Sequence, residues 1–384
     1  MVERPPTSTA HPRRLLIRGV NWLGDAVMTT PALLRLREGF PEAHIALLAP
    51  LKLAELWQGH PALDEVLTVA PGENPLAVAR RLRGRGFDTA LVLPNSPRAA
   101  LEMWLARIPQ RVGYARPWRN WLLTHLVPTR PGHVTMRKRS VREIRQQVGR
   151  AGQSSSPVRT SSNGAARDAS AHQIHEYLHL VGALGANPQP VAPLLCVADE
   201  EVAAVKARFG LEREPRPLLA LNPGAEYGPA KRWPAERFTA AAREIQRRTG
   251  CVWLVLGGAA EAGLAAEIAT AIGAAAGAVV RNLAGQTSLR ELMALLRIAR
   301  VLLTNDTGPM HVAAALGRPV VALFGSTAPE LTGPGLPGDS RHRILSARVP
   351  CAPCFRRTCP IDLRCMRRLE VETVVMAVSE VLRS

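Results

Sequence analysis

Short continuous apolar runs alternate along this chain with longer stretches in which apolar residues recur every three or four positions. Arg14-Leu-Leu-Ile-Arg-Gly-Val-Asn-Trp-Leu-Gly-Asp25 reads as a short buried strand, a glycine-containing turn and the start of a helix that carries Thr29, Thr30 and Pro31. Ala43 to Ala49 is a second strand, Leu53 to Trp57 is helical, and Glu65 to Val69 is extended again. Helix Pro75 to Arg83 and strand Thr89 to Leu93 follow. Such β-α-β-α alternation calls for a parallel sheet covered by helices, with ligands at the carboxyl ends of strands, where Asn21 to Asp25 would lie.

Between Arg137 and Ala171 the pattern collapses into Ser, Arg, Gly and Gln, which predicts a disordered insertion. Helix returns at His175 to Leu184, and the Pro-rich Asn187 to Pro193 leads towards a linker. A second alternating unit begins near Pro217. Its predicted strands are Leu218 to Leu221, Val252 to Leu256, Val279 to Leu283, Arg300 to Thr304 and Pro319 to Phe324. Helices are predicted at Pro234 to Arg247, Glu261 to Ile272, Ser288 to Ile298 and Pro309 to Leu316. The expected division is an N-terminal domain over 13–190 with the insertion at about 137–171, a linker over 191–216, a C-terminal domain over 217–350, and a Cys/Arg-rich loop with a C-terminal helix over 351–384. Two Rossmann-like lobes in 384 residues agree with the size at which one core gives way to two.

Composition narrows the class. Hydrophobic residues at 47% and charged residues at 21% exclude wholesale disorder and a fibrous repeat. No apolar run is long enough for a membrane span, and Pro, Thr and Arg occupy the N-terminus where a signal peptide needs apolar residues, so a cytoplasmic protein is expected. The net charge of +18 concentrates in two blocks: eight Lys/Arg against two acids from Arg137 to Asp168, and eight Arg against one acid from Arg341 to Arg368. This suits an anionic partner, either nucleic acid or an acidic membrane surface. Nucleic acid ranks lower, because there is no helix-turn-helix or zinc-finger spacing and aromatics at 4% leave few stacking platforms.

Two strand-end loops carry the candidate chemistry. Asn305-Asp-Thr-Gly-Pro-Met-His311 follows a strand and opens an Ala-rich helix, so its backbone N–H groups and positive helix end form an anion site, unless Asp306 or Thr307 is simply an N-cap. Gly308 permits close backbone approach and Thr307 offers a hydroxyl to a phosphate oxygen. Asn222-Pro-Gly-Ala-Glu-Tyr-Gly-Pro-Ala-Lys231 sets one of only four lysines just ahead of a helix. Together the loops suit a nucleotide diphosphate. Cys351, Cys354, Cys359 and Cys365 form a cluster that we read as reduced thiols in a compact loop rather than a metal site, while Cys196 and Cys251 are expected in the core. No Asp-x-Asp metal motif is evident, so metal-independent chemistry without a cofactor is expected.

The ordered set Asn21-Trp-Leu-Gly-Asp25…Thr29-Thr-Pro, Lys231-Arg-Trp-Pro, Thr304 through Gly317 and Cys351-Ala-Pro-Cys…Cys359-Pro resembles glycosyltransferase family 9 over most of the chain. The resemblance implies a GT-B fold, two facing Rossmann-like domains with a central cleft, the N-terminal one for the acceptor and the C-terminal one for the sugar nucleotide. It implies ADP-heptose as donor and, as acceptor, the growing inner core on lipid A at the cytoplasmic face of the inner membrane. It assigns Asp25 as general base, Lys231 to the departing diphosphate, Asn222 and the Asp306, Thr307, Gly308 and His311 motif to the donor, and Glu261 to the nucleoside ribose. A helix N-cap role for Asp25, a core role for His311 and a surface role for Glu261 are the alternatives. A sibling transferase or a sugar-nucleotide epimerase could use the same fold.

Overall fold

The computed structural model describes residues 11–150, 159–161 and 169–383. The chain forms two compact units: the first runs to His133 and regains Gln173–Cys196, while the second holds Val134–His172 and everything from Val197 onward.

The first unit is built on β1 (Arg14–Arg18), β2 (His44–Pro50), β3 (Glu65–Val69), β4 (Thr89–Val92), β5 (Gln110–Tyr114) and β6 (His125–Val127). All pair in parallel, in the order β3-β2-β1-β4-β5-β6. β1 and β2 read as continuous apolar runs because they are central strands buried on both faces. The order reverses between β1 and β4, which opens a crevice at the carboxyl ends of those two strands.

The second unit repeats the plan with β7 (Arg159–Ser161), β8 (Leu218–Asn222), β9 (Val252–Val255), β10 (Val280–Asn282), β11 (Leu302–Asn305), β12 (Val320–Phe324) and β13 (Arg343–Ser346). The order is β10-β9-β8-β11-β12-β13-β7, parallel except for β7, which closes the edge antiparallel to β13. Here the order reverses between β8 and β11. Trp233, Phe238 and Trp253 are fully buried in its core, and both indoles are satisfied: Nε1 of Trp253 donates to the Ala242 carbonyl at 2.9 Å and that of Trp233 to Leu369 at 3.2 Å.

Three segments depart from the sequence reading. The region around 137–171 is not wholly disordered: Val141–Arg150 is a helix whose Ile144 is buried in the core of the second unit, with Val148 packed against it. One apolar residue per turn among Arg and Gln is too thin a stripe to read as a helix. Residues 151–158 and 162–168 lie outside those described. Within 191–216 a helix, Asp199–Arg208, is tied to the second unit through Glu201–Arg290 and Asp199–Arg297 ion pairs, so this stretch is more than a linker. Cys196 is half-buried rather than in the core, whereas Cys251 is buried as expected.

Candidate functional site

In the first unit, Asp25 follows the end of β1 at the point where strand order reverses. It lies in the first turn of the helix Leu23–Met28, half-buried, with Trp22 in the N-cap position, so Asp25 is not the N-cap. A carboxylate in a first turn is favoured by the helix dipole. Its charge reaches the interior: the phenol of Tyr177, which accepts a 2.9 Å hydrogen bond from Gln173 Nε2, is pushed well above the usual tyrosine range by burial and then by Asp25. Thr29 and Thr30 turn inward, their hydroxyls donating to the Ala26 and Val27 carbonyls at 2.7 and 2.8 Å. They shape the helix junction and leave Asp25 as the acid of this turn.

The second unit gathers the other candidates at the carboxyl ends of β8, β9 and β11. Lys231 Nζ lies 2.7 Å from Asp306 Oδ2 and also donates to the Asp306 carbonyl at 3.3 Å. Thr327, just after β12, donates to the same carboxylate oxygen at 2.5 Å. Asp306 is therefore committed to Lys231 and Thr327. Neither it nor Thr307 caps the helix Gly308–Ala315 through its side chain, and Thr307 and Gly308 remain partly exposed at its N-terminus. The N-cap alternative gives way to an open positive helix end beside a buried ion pair.

Asn305 fixes the facing loop. Its Nδ2 donates to the Pro223 and Gly224 carbonyls at 2.7 and 3.2 Å, and its Oδ1 accepts from the Trp233 backbone at 3.0 Å. Asn222 is buried and contributes its carbonyl, which accepts from Thr304 Oγ1 at 3.2 Å. Glu261 is brought into the same cluster: Oε2 accepts from the Gly258 backbone at 3.3 Å, and Arg232 lies 3.9 Å from Oε1. Oε1 is buried and accepts no hydrogen bond within the protein. Gly224 makes room for this carboxylate, because a Cβ there would collide with both of its oxygens. Glu261 is thus no surface helix residue.

His311 is buried on the helix Gly308–Ala315, and desolvation lowers its imidazole to about 4 against an opposing pull from Asp306. It is neutral at physiological pH and sits within electrostatic range of Asp306 and Lys231. Sequence reasoning missed Thr327, Tyr227 and Arg357. Lys231 and Arg357 lie over the Tyr227 ring at 5.0 and 5.3 Å, and the Tyr227 hydroxyl donates to the Phe355 carbonyl at 2.8 Å. Tyr227 sits inside the Gly/Pro loop already singled out, whereas nothing in the spacing marks Thr327. The cluster offers two cations, a helix N-terminus and a carboxylate oxygen that accepts no hydrogen bond, the donor and acceptor set a nucleoside diphosphate requires.

The four clustered cysteines line one small, almost wholly apolar cavity with Ile144 and Ile361. Among the described residues no group of three or more His, Cys, Asp or Glu is arranged to hold a metal ion.

Residues 76–364 match the model of glycosyltransferase family 9 (heptosyltransferase). The chain is 31% identical over 334 residues to lipopolysaccharide heptosyltransferase 2 of Salmonella typhimurium, covering 84% of this chain and 85% of that one, and 31% identical with the same coverage to the Escherichia coli K12 protein of that name. The solved structure of E. coli ADP-heptose LPS heptosyltransferase II superimposes with a TM-score of 0.74 at 27% identity, over 96% of this chain and 98% of that one.

Proposed function

Since the chain belongs to glycosyltransferase family 9, we propose that it is an inverting heptosyltransferase that moves L-glycero-D-manno-heptose from ADP-heptose to the inner core of lipopolysaccharide, in the manner of heptosyltransferase II. It is a glycosyltransferase with two Rossmann-like units of the GT-B class. The observation that carries the donor assignment is the Lys231–Asp306 pair set beside the helix end at Thr307 and Gly308.

In this reading the diphosphate of the donor meets the N–H groups of that helix end. Lys231 supplies positive charge as the leaving ADP gains negative charge. Glu261 Oε1, buried without a donor, accepts from a ribose hydroxyl. Neutral His311 sits buried on the same helix, within electrostatic range of Asp306. Asp25 takes the proton of the acceptor hydroxyl as that oxygen attacks the anomeric carbon, which develops oxocarbenium character and inverts. Lysine and the helix dipole fill the place a divalent ion takes in other transferases, so the reaction proceeds without metal.

The acceptor is anchored in a membrane, and the enzyme works at its cytoplasmic face as a peripheral protein. Among the described residues no helix is long and apolar enough to cross a membrane. The basic blocks 137–168 and 341–368 favour anionic lipid head groups. The deciding experiment incubates the protein with ADP-heptose and a panel of truncated lipopolysaccharides, following ADP release and product mass. Release of ADP with a heptose-sized mass gain on one inner-core acceptor is expected; no gain on any acceptor refutes the reading.

A further inference from the structure

The first unit carries an exposed aromatic surface that the transfer chemistry leaves unused. Trp118 is 86% exposed, Trp121 66% and Trp104 43%, and Trp104 meets Trp121 edge to face at 5.8 Å. Beside them the edge strand β6 exposes Leu126. Trp118 adopts φ 68°, a left-handed conformation that bulky residues avoid.

The crossover that displays these side chains is anchored. Arg119 is fully buried, donates through Nη1 to the Pro94 carbonyl, and leaves Nε and Nη2 without hydrogen-bond partners. The Arg116 guanidinium donates to the Ala115 carbonyl and to Thr129 Oγ1, and its backbone donates to Asn120 Oδ1. A strained tryptophan next to a buried, unpaired guanidinium opposes stability on both counts, yet the arrangement fixes Trp118 pointing outward.

The chain segment that carries Trp104, Trp118 and Trp121 bears charge of one sign. No Asp or Glu occurs between Glu102 and Glu143, while Arg107, Arg111, Arg116 and Arg130 fall within that stretch of the first unit. Glu102 is fully buried between Arg18 and Arg98, and Glu176 is taken by Arg130 and His133. Arg107 is exposed on a left-handed backbone of its own.

We propose that this tryptophan–arginine face docks on the surface of an anionic lipid bilayer, with Trp118 and Trp121 seated at the headgroup–acyl boundary. Tryptophan favours that boundary, where its ring is sheltered and its N–H stays wet, and guanidinium pairs with lipid phosphate. A second copy of this chain, at +18, would present like charge to the arginines. The inference deepens the membrane association proposed above and locates it on the first unit, whereas the basic blocks 137–168 and 341–368 belong to the second.

The test measures partition of the full chain into phosphatidylglycerol vesicles and phosphatidylcholine vesicles. Brominated lipid serves as a quencher of tryptophan emission, and sedimentation velocity is run in parallel. Wild type should bind phosphatidylglycerol and be quenched; Trp118→Gly with Trp121→Ser should bind about ten-fold or more weakly. Glycine relieves the left-handed strain, so the melting temperature of the Trp118→Gly single variant should hold or rise. Arg107→Glu should weaken binding to phosphatidylglycerol only. Equal vesicle binding by wild type and the double variant overturns the proposal, as does a change in oligomeric state with vesicle binding intact, which would assign the face to a second copy. ADP release with a deacylated, soluble acceptor separates the two readings: transfer without vesicle binding sinks this inference alone, and vesicle binding without transfer on any acceptor sinks the functional one.

Discussion

Replacing Lys231 by alanine tests the donor site at its centre, because the lysine is asked to do two things that can be measured separately. Its side chain is 13% exposed and that of Asp306 4%, with 2.7 Å between the charges. Removing the lysine strands a buried carboxylate whose remaining side-chain donor is the Thr327 hydroxyl. Breaking a buried pair from one side costs about 3–5 kcal/mol, and the partly wet ammonium and surviving hydroxyl place this case at roughly 3 kcal/mol. For a unit of this size each kcal/mol shifts the midpoint by about 2–4 °C, so the second unit should melt roughly 6–12 °C lower in calorimetry without ligand. Lys231→Met with Asp306→Asn removes both charges and should recover most of that loss. ADP adds the second measurement: at a hundred-fold excess over Kd it stabilises a binding-competent protein by about 2.7 kcal/mol, and each ten-fold loss of affinity removes about 1.4 kcal/mol. An unliganded midpoint equal to wild type would refute the buried-pair argument. An undiminished ADP shift would refute the phosphate role.

Asp25→Asn should preserve ADP affinity and melting temperature while lowering turnover about 10²- to 10⁴-fold, and wild-type ADP release in a stopped assay would remove Asp25 from the chemistry. Gly224→Ala drives a Cβ into the Glu261 carboxylate and should cost about 1–3 kcal/mol while weakening adenosine and ADP binding together; unchanged calorimetric affinity for both would show that Glu261 does not hold the nucleoside. Burial lowers His60, His311 and His342 to about 4. The unfolded chain therefore binds protons below about pH 6.5 that the folded chain refuses. The stability these residues lend is complete above that pH, falls by about 2 kcal/mol per histidine at pH 5, and is gone below about pH 4. Urea titrations at pH 7 and 5 on wild type and His342→Gln measure one such share, and equal pH slopes would contradict it.

What the sequence made legible follows from how locally each feature is determined. β1, β2, β8 and β12 announce themselves because central parallel strands are apolar on both faces, whereas β5 and β6 are short, partly polar strands towards a sheet edge and carry no such run. The helix Asp199–Arg208 buries only Val205, so no apolar stripe marks it, and it holds its place through Glu201 and Asp199 ion pairs with residues 89 and 98 positions away. The same distinction runs through the proposed donor site. Gly308, Pro309 and the Gly/Pro loop before Lys231 are readable because a tight turn or a helix start restricts which residue can stand there. Thr327, and the room Gly224 leaves for Glu261, become visible only when strands far apart in sequence lie side by side.

The pairing of Lys231 with Asp306, 75 residues apart, carries a mechanistic consequence that neither motif reveals by itself. Asp306 and Tyr227 keep the lysine from swinging into solvent, one by charge and the other by its ring face. In the proposed reading, a diphosphate arriving at the helix end at Thr307 and Gly308 would join a cation already held in place, at the cost of a competing carboxylate. Thr327 bears on that cost: its hydroxyl donates to the same Oδ2 that faces Lys231, so negative charge on that oxygen is partly satisfied before the lysine turns to phosphate. On that proposal Asp306 is a positioning residue for Lys231, and the cluster would work by holding its cation ready.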